Sequence, residues 1–195
     1  MYFFARENLK KRGWFESRFR KESIDVNGEP IPWYTYSFLN FLKDRLNGSM
    51  TVFEFGCGNS TIWFSSRVGE VIAVESDQKY LSKVSAELKG LDNVTLLGRT
   101  QDEGYHRAAK DTGRKFDIVV IDGIDRVNCV KHSLECLSEK GVIIFDNSDR
   151  VEYEEAYNLI KEAGFKSIDF TGMGAISYFE WQTTVYYRPD NCLNI

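Results

Sequence analysis

Short apolar runs, each bounded by turn residues and separated by stretches of helical period, constrain this chain more than any other feature. They lie at residues 51–55 (TVFEF), 71–74 (VIAV), 94–97 (VTLL), 116–121 (FDIVVI) and 142–145 (VIIF). β-Branched residues are prominent, and apolar residues follow one another instead of alternating strictly with polar ones. That is the pattern of strands buried on both faces. Between them the period changes to that of helices. Residues 34–46 place Phe38, Leu39, Phe41, Leu42 and Leu46 on one face and stop at Asn47-Gly48; Leu81, Val84 and Leu88 share a face closed by Gly90; Val127, Val130, Leu134 and Leu137 share another closed by Gly141. Strands alternating with crossover helices imply right-handed connections and a parallel sheet whose ligands bind beyond the carboxyl ends of the strands.

After a further helix ending near Gly164 the pattern changes again. Residues 166–170 and 183–187 form two strand-like runs joined by a glycine-containing loop, which predicts a hairpin. The expected fold is therefore α/β: a doubly wound, mostly parallel seven-stranded sheet finished by a C-terminal antiparallel hairpin. At 195 residues the chain suits one such domain.

A net charge of −4 argues against a protein that grips duplex nucleic acid through a basic face, so no nucleic-acid partner is expected. Locally the balance differs, because the first segment mixes aromatics with Arg6, Lys10, Lys11, Arg12, Arg18, Arg20 and Lys21 and is suited to touch an anionic partner. No apolar run approaches the length of a membrane span, and the N-terminus has no leader pattern, so a cytoplasmic location is expected. The four cysteines, Cys57, Cys129, Cys136 and Cys192, have neither C-x-x-C nor metal-ligand spacing, and His106 and His132 are too few for a histidine-rich metal site.

Chemistry concentrates at the strand ends. VFEFGCGNST puts Gly56 and Gly58 directly after a buried strand and before a helix marked by Asn59, Ser60 and Thr61. Bare backbone there lets a ligand approach closely, and the helix start offers free N–H groups to a carboxylate or phosphate. A dinucleotide fingerprint would carry its third glycine where Thr61 stands, so a nicotinamide cofactor is disfavoured. The next strand ends in Glu75, a little under the roughly 20-residue interval at which an acid meets a ribose in such sheets. Asp77 beyond it reads as a helix cap.

From about Trp33 onward the chain resembles the class I S-adenosylmethionine-dependent methyltransferases. The likeness is carried by VFEFGCGNST, VIAVESD, FDIVVIDG and GVIIFDNSDR. It implies a helical extension over residues 1–30 and a methyltransferase domain over 31–195. By the same likeness Glu54, Gly56, Gly58 and Ser60 would surround the methionine part of S-adenosylmethionine, Glu75 would hold its ribose, and Asp122 would border the cofactor. LLGRTQDE is similar to the adenine loop of catechol-type O-methyltransferases, which nominates Thr100 and Gln101. Those enzymes hold a divalent metal through an Asp after strand four and an Asp-Asn pair after strand five, here Asp122 and Asp146-Asn147. The flanking GIDRVNC, SDRVEYEE and the C-terminal stretch depart from them. In these the chain is similar instead to little-described bacterial methyltransferases associated with surface glycans.

Two chemistries remain open for the three polar residues. A magnesium ion held by Asp122, Asp146 and Asn147 would acidify an acceptor hydroxyl; without metal, Asp122 or Asp146 is placed to act as general base. The function expected is O-methylation of a small molecule or glycan intermediate. The alternatives are a cofactor-binding protein that has lost catalysis and, less favoured, a nicotinamide oxidoreductase. Trp33, Tyr34 and Tyr36 suit either an aromatic flap or core packing, and their spacing favours packing. Residues 1–29 suit a substrate lid, the arm of a homodimer or a loosely held helix.

Overall fold

The structure is a computed structural model that describes residues 2–195, with side chains from residue 6 onward; Met1 lies outside the described residues. In chain order the elements are α1 (Tyr2–Lys11), α2 (Trp14–Arg20), α3 (Tyr36–Leu42), β1 (Thr51–Phe55), α4 (Asn59–Ser65), β2 (Glu70–Glu75), α5 (Gln78–Glu87), β3 (Val94–Gly98), α6 (Ala108–Asp111), β4 (Phe116–Ile121), α7 (Arg126–Ser133), β5 (Leu137–Asp146), α8 (Glu154–Glu162), β6 (Lys166–Gly172) and β7 (Trp181–Tyr187). One seven-stranded sheet runs in the order β3-β2-β1-β4-β5-β7-β6. The first five strands pair in parallel. β7 enters antiparallel between β5 and β6.

The continuous apolar runs are explained by what covers each face. Phe53, Phe55, Val119, Ile121, Ile143 and Phe145 point into a core shared with α6, α7 and α8. Their neighbours Val52, Ile118, Val120, Val142 and Ile144 point into a second core built on α3 and α4, where Phe38, Leu42, Trp63 and Phe64 are buried. Each such side chain contributes about 1.5–3 kcal/mol on leaving water. Glu54 belongs to this second face, a carboxyl within an otherwise apolar layer, where it is buried.

Two local expectations are corrected and a third segment is added. The first is the helix at 34–46, which is α3, only Tyr36–Leu42; Thr35 ahead of it is extended and bridges to Gly174. Leu137 opens β5 instead of closing a helix face: it pairs with Phe116, and the register shifts before Ile118 pairs with Val142. Third, between β3 and β4 the chain makes a 3-10 turn at Tyr105–Arg107 and the single-turn α6, which periodicity alone had not separated from loop.

Candidate functional site

Strand order reverses between β1 and β4, the place at which a parallel sheet of this kind takes its ligands beyond the carboxyl ends of the strands. After β1, Gly56 turns at φ 101° and donates its N–H to the Val74 carbonyl at 2.9 Å. Gly58 turns at φ 154°, and a Cβ there would sit 2.7 Å from the Tyr80 hydroxyl, the movable end of a side chain on α5. Gly123, after β4, is more constrained: a Cβ there would sit 1.9 Å from the Tyr105 hydroxyl and 3.1 Å from the Gly56 nitrogen. The two loops thus touch through bare backbone.

Glu54 ties this turn to the helix that follows. Its carboxylate accepts from Thr61 Oγ1 at 2.7 Å, and Thr61 Oγ1 in turn accepts from the Gly58 N–H at 3.0 Å. Burial raises the Glu54 pKa to about 7, against the lowering effect of hydrogen bonds from Ser60 and Thr61. A group that close to neutrality is poised to respond to a nearby cation.

Two cavities open at this edge. One, about 500 Å³, is lined by Gly58, Asn59, Ser60, Tyr80 and Asp122 and roofed by the N-terminal segment through Ile24 and Trp33. Asn59 Nδ2 donates to the Ser23 carbonyl at 2.7 Å, which holds that roof to the first turn of α4. The other, about 360 Å³, is lined by Trp33, Asp122, Asp146, Asn147, Phe179 and Trp181. Asp122 and Trp33 belong to both.

Asp146, at the end of β5, is buried, and its Oδ1 accepts from Trp181 Nε1 at 3.0 Å and from Thr183 Oγ1 at 2.6 Å. Burial brings its pKa up to about 6 although both bonds favour the charged form. Between the two acids lies the guanidinium of Arg126, also buried. It donates to the carbonyls of Gly123 (2.9 Å) and Asp122 (3.0 Å), to the Asp122 carboxylate at 3.2 Å, and to the Asp146 carbonyl. Asp122 keeps 31 % of its side chain open to the cavities. Even so, the surrounding protein and then the neighbouring charge of Asp146 push its pKa well above the ordinary carboxylate range, with Arg126 opposing.

No family model matches the sequence, and no curated protein matches it. Solved structures do match. A precorrin-6y C5,15-methyltransferase from Geobacter metallireducens superposes with a TM-score of 0.63 at 19% identity, over 78% of this chain and 87% of that one. A Streptococcus mutans protein assigned as a methyltransferase, in complex with SAH, gives 0.59 at 16%, over 76% and 94%. A methyltransferase from Geobacter sulfurreducens gives 0.59 at 18%, over 89% and 85%. This is the class I methyltransferase fold.

Within the methyltransferase fold the expected residues separate into groups. Gly58, Ser60 and Asp122 line the larger cavity, with Gly56 and Glu54 directly behind it. Glu75 lies at the end of β2, where its Oε1 accepts from the amides of Ser76 (2.7 Å) and Asp77 (2.8 Å). Cys57 borders the larger cavity with its Sγ 3.8 Å from Glu75 Oε2, and burial followed by the charges of Glu75 and Glu54 pushes its thiol pKa up. Asp77 caps α5 through the amides of Lys79 and Tyr80. Thr100 and Gln101 are exposed and line neither cavity; the Thr100 amide and hydroxyl both bond Glu103.

The magnesium expectation finds no support. Asp122, Asp146 and Asn147 do reach one cavity, but their arrangement does not suit an ion. Oδ1 of Asp146 is occupied by two donors, and the positive charge between the strand ends is already supplied by Arg126. Arg126, at the start of α7, was not singled out from the sequence. Tyr34, expected to pack, also reaches the site electrostatically: its buried hydroxyl has no hydrogen-bond partner among the described residues, and the charges of Glu54, Asp122 and Asp146 add to burial in raising its pKa. Of the aromatic trio, Tyr34 and Tyr36 pack in the core and only Trp33 borders the cavities.

Proposed function

We propose that this protein is an S-adenosylmethionine-dependent methyltransferase that methylates a hydroxyl of a small molecule or glycan intermediate. The single observation that carries the reading is the meeting of two cavities at Asp122 and Trp33, one against the glycine turn and one against the acid pair. A donor and an acceptor seated in them would be adjacent, and in a direct displacement such positioning supplies much of the rate.

The residues of the larger cavity fit the cofactor. Ser60 and the first amides of α4, at the cavity wall, suit a carboxylate; Glu54, buried behind that wall, suits an ammonium, and Glu75, at the end of β2 outside the lining, suits paired hydroxyls. When bound, S-adenosylmethionine supplies an electrophilic methyl group. Asp122 takes the proton from the acceptor hydroxyl, its raised pKa making it a stronger base than an ordinary carboxylate. Arg126 fixes Asp122 in place, and Trp33, Phe179 and Trp181 wall the acceptor from water. In this reading residues 1–30 form a helical extension and 31–195 the methyltransferase domain.

The test is transfer of isotopic label from S-adenosylmethionine to a panel of hydroxyl-bearing acceptors. Asp122→Asn is expected to slow transfer by about 10²–10⁴-fold while cofactor affinity stays within a few-fold. Full activity in that variant would remove Asp122 as the base, and labelling of amine acceptors alone would replace the oxygen assignment. Cofactor binding with no transfer to any acceptor would leave a binding protein.

A further inference from the structure

The N-terminal helices and the loop between β6 and β7 meet in a surface that touches the two cavities only at its inner border, through Trp33, Ser177 and Phe179. Trp14 Nε1 donates to the Ser177 carbonyl at 2.7 Å, and Trp33 Nε1 lies 3.3 Å from Ser177 Oγ, so α2 and this loop are pinned to one another. The Arg18 guanidinium lies 5.6 Å from the centre of the Tyr178 ring. Around that contact stand large apolar side chains facing solvent: Phe15 and Phe19 on successive turns of α2, and Tyr178 and Phe179 at the loop. Phe19 is 86% exposed and Tyr178 73%. A soluble surface seldom gathers such residues without a partner.

Charge identifies that partner. Residues 2–21 hold seven lysines and arginines against two glutamates, in a chain whose net charge is −4; of these, Arg18 lies over Tyr178 and Arg20 follows Phe19 on α2, whereas Lys11 and Arg12 border a separate cavity and Lys21 the larger one. Aromatic side chains that project from a helix and a loop tip, set among cations, match the boundary between headgroups and acyl chains of an anionic bilayer, where rings insert and cations meet phosphate. A second copy of the chain fits less well, because an isologous contact would bring two basic patches together. Single-stranded nucleic acid is bound along grooves, whereas Phe15, Phe19 and Tyr178 line neither cavity described above.

We infer that α2 and the β6–β7 loop form a docking surface for an anionic membrane, which seats the mouth of the acceptor cavity, bordered by Phe179 and Trp33, at the lipid surface. The proposal is independent of which acceptor is methylated.

The experiment is co-sedimentation of the full chain with phosphatidylcholine vesicles and with vesicles of phosphatidylcholine and phosphatidylglycerol. Binding is expected to the second kind only and to weaken as salt rises. Phe19→Ser is expected to lower partitioning about tenfold or more, and the double variant Arg18→Glu, Arg20→Glu about tenfold or more as well. In both, affinity for S-adenosylmethionine should be unchanged, which separates lost docking from lost folding. Equal partitioning onto the two kinds of vesicle, or anionic binding that survives Phe19→Ser, overturns the proposal. So does a dimer, or tight binding of a single-stranded RNA oligomer, that Phe19→Ser abolishes while vesicle binding is absent.

Discussion

Glu54 offers a test of the site's electrostatics that needs no acceptor. Its carboxyl has an ordinary pKa of 4.5 and reaches about 7 in the folded protein because burial disfavours the charge. Between those values the folded state keeps a proton that the unfolded chain has released, so this group's contribution falls as pH rises through the window and is level above it. At about 1.4 kcal/mol per pH unit, the charged carboxylate costs about 3 kcal/mol once pH passes the folded value. Glu54→Gln keeps an oxygen to accept from Thr61 Oγ1 and removes the ionisation. Urea unfolding of both proteins at about pH 5 and about pH 8 isolates the effect, because other titrating groups cancel in the difference. The two are expected to match within about 1 kcal/mol at the lower pH and the variant to exceed the parent by about 2–3 kcal/mol at the higher one. An equal difference at both values would mean that Glu54 is already ionised at the lower pH, and the argument from burial would fail.

Three further outcomes are expected. The acid limb of the transfer rate should lie well above the ordinary carboxylate range, since Asp122 acts as base only when deprotonated and its pKa is raised by burial and Asp146; a limb near 4 would point to another base. Arg126→Met, which strips the carbonyls of Asp122, Gly123 and Asp146 of a buried donor, should destabilise the fold by about 3–5 kcal/mol in urea, and a loss below about 1 kcal/mol would show that water replaces it. Transfer should survive exhaustive chelation; loss that added magnesium restores would reinstate an ion beside Asp146.

What the sequence reveals here follows from how local each determinant is. Strands were legible because burial on both faces leaves nearly unbroken apolar runs, and the glycine turn because its backbone must be bare. Leu137 was not, since its helical spacing from Leu134 is overridden by pairing with Phe116 across a register shift. Arg126 escaped notice for a related reason: most of its acceptors are backbone carbonyls brought together by two strand ends, and no side-chain pattern announces them. Thr100 and Gln101 were nominated by likeness alone, whereas Glu103 claims Thr100 within one turn of chain. The fate of the magnesium expectation turned on Trp181 and Thr183, more than thirty residues from Asp146 in sequence.

The position of β7 has a consequence for how the protein is made. The glycine turn and its partner loop are in hand once β4 has left the ribosome, but Asp146 waits for Trp181 and Thr183, whose strand must slot between β5 and β6. At about 5–20 residues per second, β7 follows β4 by several seconds. During that interval the nascent chain carries one half of its pocket assembled and the other half with a naked acid, an opportunity for mispairing of β6 with the open edge of β5 that the finished sheet removes.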